Sequence, residues 1–237
     1  MLNIDEIKEY TLTCYNKAKN NLQNVEMRHA IYESNAISNV IPGYNAETMN
    51  FATYKEDKFA VLFIDIRSST NRAQLIGPEK TFLSMHAFIP AMLKVVEHHH
   101  GRVIDLMGDG IMVFFGGIAS DLTKEMAIQH SGLCGMDMLK VIDKVVNPIL
   151  NEDEITYDIV CGVGITYGSV IVTKIGIDSV FDVKAYGDCI NQASKYSKGR
   201  GEVKVGKIIK KNWPSSKGGK IKFCGSDKEG YVVEDGR

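Results

Sequence analysis

Cysteine is scarce and scattered in this 237-residue chain: Cys14, Cys134, Cys161, Cys189 and Cys224, with no CxxC pair among them. An odd number of isolated thiols argues against a secreted disulfide framework and fits a reducing compartment. Excess charge is missing too. With 28 basic and 29 acidic residues the net charge is −1, which argues against a nucleic-acid-coating protein or a polybasic membrane binder while leaving room for a local basic pocket. Long apolar runs are absent: the longest, 59–64 and 111–115, are strand-length, far short of the ~20 residues that span a bilayer. The first residues, MLNIDEIKEY, are acidic where a secretion signal is basic and then apolar. The expectation is a cytoplasmic protein with neither membrane nor nucleic acid as partner. No repeat or low-complexity tract interrupts a composition of 44% hydrophobic and 24% charged residues, and the length suits one large domain or one domain with an accessory segment.

Residues 1–34 carry apolar side chains at roughly helical spacing, and a polar stretch with Pro42 and Gly43 follows as a linker. The expected division is a helical extension over 1–57 and a catalytic unit over 58–237. Residues 59–64 read as a buried strand ending in Asp65; Ser68, Ser69 and Thr70 are placed to cap a helix that breaks at Gly77-Pro78, and 79–99 form a second helix stopped by Gly101. Residues 102–107 and 111–115 flank Gly108-Asp109-Gly110 as a hairpin. A long helix over 121–146 closes at Pro148, strands over 155–165 and 169–175 hinge near Gly168, 188–198 is helical, and short strands alternate in the tail. This order predicts an α+β sandwich of the ferredoxin-like βαββαβ type.

Asp65 ends a buried strand and Asp109 sits at a hairpin tip. Each alone is a common turn or cap residue. Neighbouring strands lie ~4.8 Å apart, so carboxylates at the same end of adjacent strands can share hard cations, and paired Mg²⁺ or Mn²⁺ ions are a standard device for displacement at phosphorus. The Arg67-Ser68-Ser69-Thr70 stretch that follows Asp65 would offer phosphate a guanidinium and helix-start amides.

The segments FAVLFIDIRSST, VIDLMGDGIMVFFGG, VCGVGITYGSVIV and AYGDCINQASKYS, in this order over about 58–198, resemble the catalytic domain of class III nucleotidyl cyclases. The resemblance implies a homodimer with active sites across the subunit interface, in which the 3′-oxygen of a nucleoside triphosphate attacks its own α-phosphorus and releases pyrophosphate. It assigns Asp65, Asp109 and the Ile66 carbonyl to two divalent ions (Mg²⁺ or Mn²⁺). Asn191 falls on the asparagine that orients the ribose. Lys195 stands where the family usually has an arginine, keeping the charge without the bidentate fork. Lys228 matches the late lysine that binds the terminal phosphates, with Lys217 and Lys220 as alternatives.

Base choice in the family rests largely on two positions. Four residues before the second metal aspartate, adenylyl cyclases carry lysine and guanylyl cyclases glutamate; three residues before the glycine of the asparagine motif, adenylyl cyclases carry aspartate. Here these are Asp105 and Lys184, the reverse of the adenine-reading pair. A carboxylate accepts and an ammonium donates, which suits guanine, uracil or cytosine and leaves adenine the poorest fit. The IDIRSST and MGDG segments also resemble the bacterial anti-phage pyrimidine cyclases (Pycsar), whose cyclic UMP or cyclic CMP activates a separate effector. The reading is therefore a pyrimidine cyclase, UTP ahead of CTP, with a guanylyl or adenylyl cyclase and a catalytically silent nucleotide-binding domain as alternatives. Three features are set aside: His98-His99-His100 reads as a helix end rather than a metal site, the methionines at 107, 112, 126, 136 and 138 as core fillers, and Gly162-Val-Gly164 as part of a strand, lacking the third glycine of a dinucleotide loop.

Overall fold

The computed structural model describes residues 2–23, 41, 43–45, 48–214 and 219–236. The 24–34 part of the expected N-terminal helix, Pro42 of the expected linker and Lys217 lie outside them. Strand β1 (Tyr54–Ile66) is the centre of the sheet, paired antiparallel with β3 (Gly110–Gly116) on one side and β4 (Cys161–Ile177) on the other, while β2 (Arg102–Met107) flanks β3. The order β2-β3-β1-β4, with α2 (Ser69–His98) between β1 and β2 and α3 (Lys124–Val141) between β3 and β4, is the ferredoxin-like split arrangement. Beyond β4 the sheet continues through β6 (Val203–Val205), β8 (Gly230–Asp235) and β7 (Ile221–Ser226), and β5 (Val180–Tyr186) pairs with the far half of β4.

From Phe59 onward both faces of β1 are buried, which is why this part of its sequence is nearly continuous apolar. Ala60, Leu62, Ile64 and Ile66 pack beneath α2 and α3, whereas Phe59, Val61 and Phe63 belong to a second core with Phe114, Val170, Val183 and α5 (Asp188–Tyr196). Alternation along the strand sends Asp65 to this second side.

Several expectations need correction. β1 begins at Tyr54, inside the expected linker. The helix break at Gly77 holds, at φ 81° and ψ 172°, a conformation that favours glycine. Pro148 does not end the long helix. A π-turn, Ile142–Val146, lets the Asn147 amide donate five residues back to Ile142, and α4 (Asn147–Glu152) carries Pro148 in its first turn, where a missing N–H costs least. Residues 155–160 are not strand, and β4 runs unbroken through Gly168. The glycine there serves close approach: a Cβ on it would come within 2.9 Å of the Cys189 Cβ. Of the expected core methionines, Met107 and Met126 are exposed while Met136 and Met138 are buried.

α1 (Ile4–Gln23) covers α2 rather than a strand. Tyr15 donates to Asp153 at 2.8 Å and Lys19 meets the same carboxylate at 2.6 Å, holding it below its ordinary range. The histidine run does end α2. His99 is buried with its Nε2 2.9 Å from Asp137 Oδ2, tying α2 to α3, and among the described residues no group of three ligating side chains could hold a metal.

Candidate active site

Strand register assembles the carboxylates. Asp65 lies opposite Gly110 on β3 and Gly162 on β4, so Asp109 occupies the hairpin position adjoining its partner. A Cβ on Gly110 would sit 3.6 Å from Asp65 Oδ1 and 3.4 Å from the Ile64 carbonyl, so the glycine keeps the space over the acid open. Arg67 turns back and pairs its guanidinium with the Asp65 carboxylate, while its backbone amide donates to the Val160 carbonyl at 2.8 Å. Cys161, opposite Ile66, lies within electrostatic reach of both Arg67 and Asp109, and burial drives its thiol far above its ordinary range. The carboxylates of Asp65 and Asp109 with the Ile66 carbonyl are hard oxygen donors, a set suited to a hard divalent ion.

The start of α2 is built differently from the expected cap. Ser68 sits in the left-handed region at φ 57° and its side chain caps nothing. The amides that open any helix lack partners within it, and those of Ser69 and Thr70 follow directly after the Asp65–Arg67 pair.

α5 crosses β4 at close range because Gly162 and Gly164 carry no side chain. A Cβ on Gly164 would overlap the Ala193 carbonyl, and one on Gly162 the carbonyls of Ser197 and Gly199. The Gly162-Val-Gly164 spacing thus has a packing reason. Cys189 and Ala193 face the sheet, and Asn191 and Lys195, exposed and one turn apart, face away from it. Among the described residues neither side chain has a hydrogen bond or ion pair to Asp65 or Asp109. The expected site residues thus fall into two groups, candidate half-sites: the acids at the β1–β3 end, and Asn191 with Lys195 on the outer face of α5.

Lys228 is exposed in the β7–β8 turn, whose Gly230 approaches the Tyr196 ring at the end of α5. Lys220 precedes the other end of that hairpin, where Ile221 pairs with Asp235.

A β-bulge decides where Asp105 points. Val103 pairs with Val113 and Asp105 with Met112, leaving Ile104 as the extra residue. Ile104 is buried in the core beneath α5, and Asp105 joins Met112 on that same side. Without the bulge Asp105 would share the face of Val103. Lys184 on β5 is close enough to feel Asp105, but its direct partner is Asp182, at 2.7 Å. Sequence reasoning passed over Asp182; its signal was the acid two residues before a pocket lysine on one strand. A cavity of about 1150 Å³ lies elsewhere, at the opposite end of β2 and β3 among His100, Arg102, Phe114 and His130, and shares no residue with these half-sites.

Residues 51–211 match the adenylate and guanylate cyclase catalytic domain. The chain belongs to this class III cyclase family. A cytidylate cyclase from Escherichia coli is 29% identical over 138 residues, 56% of this chain and 30% of that protein. An adenylate cyclase from Anabaena cylindrica is 24% identical over 199 residues, 81% of this chain and 36% of its own length. The chain thus spans about a third of the length of these curated relatives. The crystal structure of the adenylyl cyclase CyaB from P. aeruginosa superposes with a TM-score of 0.69 at 23% identity, covering 78% of this chain and 97% of that one. Class III cyclase domains generally use divalent metals and commonly act as dimers on nucleotide substrates. No helix among the described residues is long and apolar enough to cross a membrane.

Proposed function

We propose that this cyclase domain converts a pyrimidine nucleoside triphosphate into its 3′,5′-cyclic monophosphate and pyrophosphate, and that the base is cytosine ahead of uracil. The observation that carries the reading is the Asp105–Lys184 combination, an acceptor and a donor within electrostatic reach of each other. Its polarity is the reverse of the adenine-reading pair. Cytosine offers the N4 amine to Asp105 and N3 or O2 to Lys184; uracil offers N3–H and O4. The likeness to a cytidylate cyclase favours cytosine over the uracil that the motifs alone put first.

In this reading Asp65, Asp109 and the Ile66 carbonyl would hold two divalent ions, Mg²⁺ or Mn²⁺, which would supply Lewis acidity to the ribose hydroxyl and offset phosphate charge. Asn191 holds the ribose so that its 3′-oxygen faces the α-phosphorus. As the new P–O bond forms, the 3′-hydroxyl proton passes to water or the departing pyrophosphate, the bond to the β-phosphate breaks and pyrophosphate departs. Lys195 offsets charge on the transferring phosphoryl group, and Lys228, Arg67 and the Ser68–Thr70 amides bind the remaining phosphates. In this reading the functional unit is a homodimer, with the acids of one copy meeting Asn191 and Lys195 of the other; the exposure of Asn191 and Lys195 on α5 supports it. The resemblance to anti-phage cyclases further makes the product a second messenger for a separate cyclic-nucleotide-activated effector. The free thiols fit a cytoplasmic setting.

Exchanging the pair tests the base assignment. Asp105→Lys combined with Lys184→Asp is expected to move the CTP-to-ATP ratio of kcat/KM toward ATP by about tenfold or more. A ratio that does not move would contradict it.

A further inference from the structure

Lys184 does not point freely into the base-reading region. Its ammonium is 2.7 Å from Asp182 Oδ2, and Asp182 Oδ1 in turn accepts from the Val183 amide at 2.7 Å. The two side chains flank Val183 on β5; Val183 is buried beneath α5, so both project away from that core. They are 40% and 38% exposed, and a pair so open to water adds little to stability. Its consequence is positional. Two carboxylates act on the ammonium, the hydrogen-bonded Asp182 most strongly and Asp105 from further off, and together they keep it protonated. If Asp182 did not hold it, the flexible lysine would be drawn to Asp105. Acceptor and donor would then satisfy each other, and neither would meet a nucleobase.

We infer that Asp182 is a positioning residue for base recognition: it draws Lys184 along β5 and keeps Asp105 free to accept from the base. This rests on the reading that Asp105 and Lys184 face the base. A second carboxylate beside the lysine also sharpens discrimination. Lys184 keeps one fixed direction of approach, so a base whose acceptor lies elsewhere cannot recruit it.

The test is binding rather than turnover, using 3′-deoxy-CTP, 3′-deoxy-UTP and 3′-deoxy-ATP, which lack the attacking hydroxyl, with Mn²⁺ and titration calorimetry. Asp182→Asn is expected to weaken the preferred pyrimidine analogue about tenfold while changing ATP-analogue affinity much less, and to leave the melting temperature in place. Asp182→Glu restores most of the loss. The double variant Asp182→Asn/Lys184→Gln should bind no worse than Lys184→Gln alone, because Asp182 acts only through Lys184. Additive losses, or an Asp182→Asn protein that keeps full affinity and selectivity while Lys184→Gln loses both, would overturn the role of Asp182 and leave the base assignment standing. If Lys184→Gln itself keeps affinity and selectivity, the base assignment falls and this inference with it. Unequal melting temperatures are resolved by Asp182→Glu: failure to recover selectivity in a stable Glu variant also counts against the proposal.

Discussion

Asp109→Asn is expected to lower turnover about a thousandfold while the protein stays folded and still binds nucleotide. Asparagine has nearly the shape of aspartate and keeps the hairpin tip between Gly108 and Gly110. It removes the negative charge from a pair whose other member, Asp65, lies opposite Gly110 in register. A neutral amide oxygen competes weakly for a divalent ion, so the loss falls on kcat more than on affinity for the base and ribose. The check is cyclisation rate with Mn²⁺ beside the dissociation constant of a 3′-deoxynucleoside triphosphate. Turnover within tenfold of the parent would remove Asp109 from the chemistry. Parent protein that binds nucleotide and never turns it over would instead mark a silent binding domain, the alternative that Lys195 in place of arginine keeps in view.

Mixing two inactive proteins should produce an active one. Asp65→Asn and Asn191→Ala each remove a residue from a different candidate half-site, and among the described residues no hydrogen bond or ion pair joins the two. In a homodimer with shared sites, a one-to-one mixture forms about half heterodimers, each with one intact site and one doubly broken site, so activity returns to about a quarter of the parent's. Either protein alone stays near background. A mixture as inactive as its components would mean that each protomer builds its site by itself, and would require α5 to move so that Asn191 and Lys195 meet the acids of their own chain.

The parts of the molecule that were legible in the sequence are those where one residue pattern has one physical outcome. A continuous apolar run ending in Asp65 could only be a strand buried on both faces, and Gly-Asp-Gly between two short runs could only be a tip; the antiparallel register then brings Asp65 and Asp109 together. The illegible parts depend on what lies across space. Gly168 reads as a hinge until α5 is seen against it, and Gly162 and Gly164 read as an incomplete nucleotide loop until the carbonyls of Ala193 and Ser197 are seen in the place of their side chains. The bulge at Ile104 leaves no mark in composition, yet it decides which face of the sheet Asp105 occupies. Strand β5 was missed because its interior alternates Asp182 and Lys184 with Val183, too few apolar residues to announce a strand. Asp182 was missed with it.

The central claim is that this chain cyclises a pyrimidine nucleoside triphosphate. The most direct test is purified protein with Mn²⁺ and an equimolar mixture of ATP, GTP, CTP and UTP, with products read by mass spectrometry. The account predicts one dominant 3′,5′-cyclic pyrimidine monophosphate, cyclic CMP ahead of cyclic UMP, with an equal amount of pyrophosphate. Cyclic AMP or cyclic GMP as the main product would contradict the base reading of Asp105 and Lys184, and no cyclic product from any of the four would contradict the activity itself.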